Sequence, residues 1–104
     1  MEYRAELAAR AERDLAAIYQ EVNAVGSKAA ARWFNGLERA VYTLERLPMR
    51  CPSAPENKLA GRPLRHLLYV GKPEIYRVIY AVDESRRVVR ILAIRNGARE
   101  IAGG

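Results

Sequence analysis

Arg77 is the residue in this 104-residue chain with the clearest chemical implication. It stands in an alternating stretch, Ile75 to Val82, with Ile75 and Ile79 as its same-face neighbours. Burying an unpaired guanidinium costs several kcal/mol, so this position demands an anion or an open groove. One solution is an internal ion pair with Glu74, Asp83 or Glu84. The other is an anion-binding face shared with Arg65, Arg95 and Arg99, since arginine forks suit bidentate contact with phosphate or carboxylate. Three tyrosines, Tyr69, Tyr76 and Tyr80, lie among these arginines and have the rings to stack on bases or to pack a core.

The remaining reactive types are sparse. His66 is the sole histidine, able to serve as a general acid or base or to sit as an inert strand residue. Cys51 is the sole cysteine and lies among prolines with no histidine nearby, a poor setting for a thiol nucleophile. One histidine and one cysteine make a structural zinc site implausible, and no carboxylate pair, glycine-rich phosphate loop or ligand cluster appears. The expectation is therefore no metal and no cofactor.

Charge adds direction. The net charge is +6. Residues 1–57 hold eight basic and eight acidic side chains, whereas residues 58–104 hold ten and four. All the surplus lies in the second half, and 15 of the 18 cations are arginine. Such a basic half favours an acidic partner or a nucleic acid.

The elements that position these residues read as β-α-α-β-β-β. Residues 2–7 alternate weakly as a short leading strand. From Ala8 the period changes, and Ala11, Leu15, Ile18, Val22 and Val25 form one helical stripe. Gly26 suits a left-handed helix end and Ser27 a helix start. A second stripe, Trp33, Leu37, Val41, Leu44 and Leu47, runs to Pro48, giving an antiparallel helical hairpin. Residues 48–63 are rich in proline and read as a loop draped over the core, with no reactive group. Three strands follow, Leu64–Tyr69, Ile75–Val82 and Arg87–Arg95, joined by tight turns as an antiparallel meander. Apolar residues on both faces of the last two place them inside the sheet. Alternation puts Val88, Arg90, Leu92 and Ile94 on one face of the final strand and Val89, Ile91 and Ala93 on the other.

The length suits one domain over residues 1–104. A lone cysteine fits a reducing cytosol, the charged opening is unlike a signal peptide, and no apolar run is long enough to span a membrane. The expected class is α+β, an antiparallel sheet packed against the helical hairpin, in a cytoplasmic protein.

Three local patterns then resemble the ParE/RelE superfamily of toxins from type II toxin–antitoxin modules, among them the ParE-like plasmid stabilisation proteins. Ala11-Glu12-Arg13-Asp14-Leu15-Ala16-Ala17-Ile18-Tyr19 is similar to the family's opening helix. Tyr76-Arg77-Val78-Ile79-Tyr80-Ala81-Val82-Asp83 is similar to its aromatic-Arg-aliphatic-aliphatic-Tyr strand. Ile91-Leu92-Ala93-Ile94-Arg95-Asn96-Gly97-Ala98-Arg99 resembles its final strand, with Asn96 where histidine is common. The match spans about residues 3–100.

The resemblance implies a toxin wrapped by a cognate antitoxin. It also implies one of two activities. RelE-like members cut mRNA on the ribosome, using basic residues of the sheet and a C-terminal tyrosine; ParE-like members bind DNA gyrase and trap it with cleaved DNA. Arg77 and Arg99 match the family's arginines, and Arg65 stands where the nucleases place a lysine, but Leu67 replaces the second lysine. No tyrosine closes the chain. A nuclease must activate a 2′-hydroxyl, and arginine stays protonated and makes a poor base; His66 would have to serve. The expectation is a ParE-like gyrase inhibitor that acts by binding, with Arg65, Arg77, Arg95 and Arg99 as target- or antitoxin-binding residues. The alternative is a metal-independent endoribonuclease using Arg65, Arg77, Arg99 and His66. The antitoxin is expected to cover both the arginine face and apolar surface of the hairpin, with Val41 and Leu44 as contacts if exposed.

Overall fold

The computed structural model describes residues 2–56, 63–71 and 75–97. The order is β1 (Arg4–Leu7), α1 (Ala9–Glu21), α2 (Lys28–Tyr42), β2 (Arg65–Val70), β3 (Ile75–Asp83) and β4 (Val88–Asn96). Single turns of 3-10 helix at Thr43–Glu45 and Pro48–Arg50 lead out of α2.

Helix α1 ends earlier than its apolar stripe suggests. Asn23, not Gly26, takes the left-handed conformation, with φ 57°. Its N–H donates to Gln20 O and that of Ala24 to Tyr19 O, the paired bonds of a Schellman ending. Val25 therefore lies beyond the helix and is exposed, while Ala11 and Ile18 are buried. Ser27 caps α2 as expected, its hydroxyl accepting from Ala30 N at 3.2 Å. Leu37, Val41 and Leu44 are wholly buried, so Val41 and Leu44 are not surface contacts. Leu47 leaves the stripe altogether: it adopts φ 49° and is exposed, and the turn it opens seats Pro48 in the core.

The four strands form one sheet in the order β1-β4-β3-β2. β2, β3 and β4 are the expected antiparallel meander, and β3 and β4 lie inside it. β1 joins parallel to β4, pairing Arg4 with Val88 through Leu7 with Ile91, so the sheet is mixed. Among the described residues no strand pairs with that edge of β4 beyond Ile91. Asp14 of α1 covers it there, its carboxylate accepting from Ile94 N at 2.9 Å.

The helices cover one face of the sheet, and the main core lies between. Leu37, Leu44, Val78, Tyr80 and Ile91 are fully enclosed. Tyr80 donates its hydroxyl proton to Pro48 O. Tyr69 and Tyr76 pack on Trp33 with ring centroids 5.2 and 5.4 Å away, and Tyr69 donates to Trp33 O at 2.8 Å. Gly36 leaves room for that hydroxyl, where a Cβ would collide with it. The tyrosines are thus core groups on the helix side.

Candidate functional site

On the opposite face of the sheet the fold assembles Arg77, His66 and Glu56. Register decides which residues share this face. Leu68 of β2 and Arg95 of β4 lie directly opposite Arg77, His66 opposite Ile79, and Val70 opposite Ile75. A bulge at Ile79/Tyr80 sets Ile79 against Ala93 and Tyr80 against Ile91, leaving Leu92 as the extra residue. One added residue reverses every face after it. Ile94 therefore pairs with Val78 on the core side rather than sharing a face with Arg90, and Arg95 comes round to the face of Arg77.

Arg65 goes the other way. It pairs with core-side Tyr80 in the register, and its Nη1 donates to Cys51 O at 2.5 Å. It braces the buried Cys51 segment instead of joining Arg77, so the expected four-arginine face is not assembled. Arg99 lies outside the described residues.

Arg77 is 5% exposed. Its guanidinium is held by Glu56 in a two-pronged pair, Nη1 to Oε1 at 3.2 Å and Nη2 to Oε2 at 2.5 Å. The internal carboxylate is thus neither Asp83, which bonds Ser85 and Arg86 of its own turn, nor Glu84, and Glu74 lies outside the described residues. It comes from the proline-rich loop. That loop is not merely draped: Ser53 bridges Arg65, Ala54 N donates to Leu64 O at 2.8 Å and His66 N to Pro52 O at 3.2 Å. Running along the outer edge of β2, it pins a small cluster of Ala54, Leu64 and Ile79 on this face and delivers Glu56 to Arg77.

His66 completes the group, its Nδ1 lying 3.1 Å from Arg77 Nη1. Arginine only donates, so Nδ1 accepts and the imidazole proton sits on Nε2. Burial, then the charge of Arg77, lowers the His66 pKa, while Glu56 opposes them. The bond from Arg77 likewise holds the Glu56 carboxyl below its ordinary range, against a smaller effect of burial. The chemical state is an ion pair beside a neutral imidazole whose free lone pair is already engaged.

Gly97 gives the arginine stem its room. A Cβ there would stand 3.1 Å from Arg77 Cγ and 3.2 Å from Ile75 O, closer than either neighbour tolerates without shifting. Beside this polar group the face carries exposed apolar side chains, with Leu68 53% and Val70 70% exposed and Ile75 partly so. The loop of residues 48–63 carried the signal that sequence reasoning missed: Glu56 is its sole acidic residue.

Among the described residues no group of three His, Cys, Asp or Glu side chains could hold a metal ion, and no helix is long and apolar enough to cross a membrane.

Residues 5–101 match the family described as the ParE toxin of the type II toxin–antitoxin system, parDE. The fold is similar to a chain of the toxin–antitoxin complex RelBE2 from Mycobacterium tuberculosis, with TM-score 0.62 and 21% identity, covering 92% of this chain and 99% of that one. It is also similar to a mutant of the toxin RelE from E. coli in the free state, with TM-score 0.54 and 21% identity, covering 99% and 93%. No curated protein sequence is significantly similar.

Proposed function

This chain belongs to the ParE toxin family of type II toxin–antitoxin systems, and from that premise we propose that it inhibits DNA gyrase by binding and is neutralised by a cognate antitoxin. The observation that carries the choice is the state of His66. A ribonuclease of this fold needs a base to take a 2′-hydroxyl proton, and the one imidazole has its Nδ1 lone pair committed to Arg77. Glu56 is a weak base for the same reason, being held ionised by the same guanidinium. Arg65, another of the residues a nuclease would use, is turned to the helix side. What the open face offers is a recognition surface: an arginine, apolar side chains and a second arginine across β4.

The test is a supercoiling assay with purified protein, plasmid, ATP and gyrase. Inhibition with accumulation of cleaved linear DNA supports the reading. No effect on gyrase together with mRNA cleavage on programmed ribosomes replaces it with the nuclease reading. Co-expression with the cognate antitoxin should restore growth and yield a complex of the two chains.

A further inference from the structure

The pair between Arg77 and Glu56 is an unusual way to stabilise a strand. Replacing a buried ion pair by apolar side chains of similar size is often neutral or favourable, so stability alone does not call for charge at this point. The two partners are also unequally buried, the Arg77 side chain being 6% exposed and that of Glu56 31%. Glu56 is the solvent-side cover of a guanidinium that the sheet itself aims outward.

What surrounds the cover matters as much. Leu68, Val70 and Ile75 are exposed apolar side chains on this face, in the β2 and β3 positions next to Arg77, and Arg95 lies opposite it on β4. An arginine with exposed apolar groups beside it is the composition of an interface anchor. Nucleic acid would call instead for exposed cations tracking a phosphate backbone. Leucine, valine and isoleucine occupy those positions here.

We propose that Arg77 anchors a docking surface for an acidic, apolar segment of a partner protein, whose carboxylate replaces that of Glu56, so that Glu56 is a competitor built into the chain. The Nη1/Nη2 edge of the guanidinium, which Glu56 occupies, donates to one bidentate carboxylate at a time. Binding is therefore an exchange: one carboxylate leaves to water as another arrives, and the buried charge balance at Arg77 is kept. Leu68, Val70 and Ile75 supply the apolar contact that favours the incoming segment over the resident side chain. The proposal deepens the function stated above, since a neutralising partner would supply such a segment, but its test needs neither gyrase nor antitoxin.

The test follows the methyl groups of Leu68, Val70 and Ile75 and the His66 imidazole by NMR in the wild type, Glu56→Gln, Glu56→Asp and Glu56→Gln with Arg77→Gln. The probes are a short peptide alternating leucine and glutamate, the same peptide with glutamine for glutamate, and an oligothymidylate of similar length. Removing an internal competitor raises apparent affinity by the inverse of the open fraction. Glu56→Gln should bind the glutamate peptide about tenfold more tightly than the wild type, with shifts at all three apolar residues. Glu56→Asp should fall between them, and the glutamine peptide and the double variant should bind weakly. Equal affinity in the wild type and a folded Glu56→Gln or Glu56→Asp overturns the proposal. So does tighter binding of oligothymidylate than of the glutamate peptide, which would make the surface a phosphate site.

Discussion

The two faces of the sheet solve opposite problems with the same strands. On the helix side Tyr80, Ile91 and Val78 are fully enclosed, and the Tyr80 hydroxyl donates within the core to Pro48 O. On the open side Ile79, Ala54 and Leu64 form a much smaller cluster, and the neighbouring positions hold an ion pair, a neutral histidine and exposed apolar chains. The difference teaches how one sheet can use its two faces differently. Burial on one face specifies the sheet, which leaves the other free to carry residues that a core would reject.

The comparison predicts that core truncation outweighs every change on the open face. Ile91→Ala removes a wholly buried side chain between the helices and the sheet and should cost about 3 kcal/mol, read as a lower urea midpoint with the slope unchanged. A loss below about 1 kcal/mol would mean that the helix side is not the main source of stability.

Next in size is the ion pair, where the two partners should differ. Glu56→Ala takes the two-pronged carboxylate from a buried guanidinium and should cost about 2 kcal/mol. Arg77→Met strands a carboxylate that is already near water and should cost about 1 kcal/mol or less. The reverse order in paired urea melts would mean that Glu56, not Arg77, is the buried partner in solution.

How much of this was legible follows from the range of each interaction. The element order and the interior position of β3 and β4 come from local periodicity, and the chain carries that openly. The helix ends were misplaced where a single Asn23 or Leu47 enters the left-handed region, a choice that side-chain pattern does not reveal. Arg77 was legible as a residue in need of an anion. Its partner was not, because Glu56 is separated from it by 21 positions and by a loop of no regular pattern. The grouping of Arg65 with Arg77 failed for a related reason: which faces match across two strands depends on register, and register is fixed by pairing rather than by either strand alone. The bulge that leaves Leu92 unpaired and turns Arg95 to the open side is the same lesson within one strand.

Acid should act on the open face before it acts on the core. His66 has a folded pKa below its ordinary value of about 6.5. The unfolded chain then binds the proton first, so the stability this group contributes is complete above about pH 6.5 and falls as pH drops toward the folded value. Glu56, also lowered, adds a second loss of the same sign at more acid pH, beginning near the ordinary carboxylate value. Urea midpoints at pH 7.5 and 5.5 should therefore decline in the wild type and decline less in His66→Gln. An identical decline in both would show that burial and the charge of Arg77 do not hold the imidazole neutral.

The smallest effect on stability is the most informative about binding. Leu68→Ser with Val70→Ser replaces two side chains that already face water, on the edge strand of the sheet. Neither belongs to either buried cluster, so the urea midpoint should move by no more than about 0.5 kcal/mol equivalent. Binding should respond quite differently. If the open face is the recognition surface, losing two apolar contacts beside Arg77 should weaken the antitoxin complex by at least about tenfold, measured by titration of folded toxin. The matching control is Val25→Ser, an exposed apolar residue just past α1, which should leave both quantities alone. Equal loss of affinity from the control would relocate the antitoxin to the helical hairpin, and the open face would then have to be explained by its target.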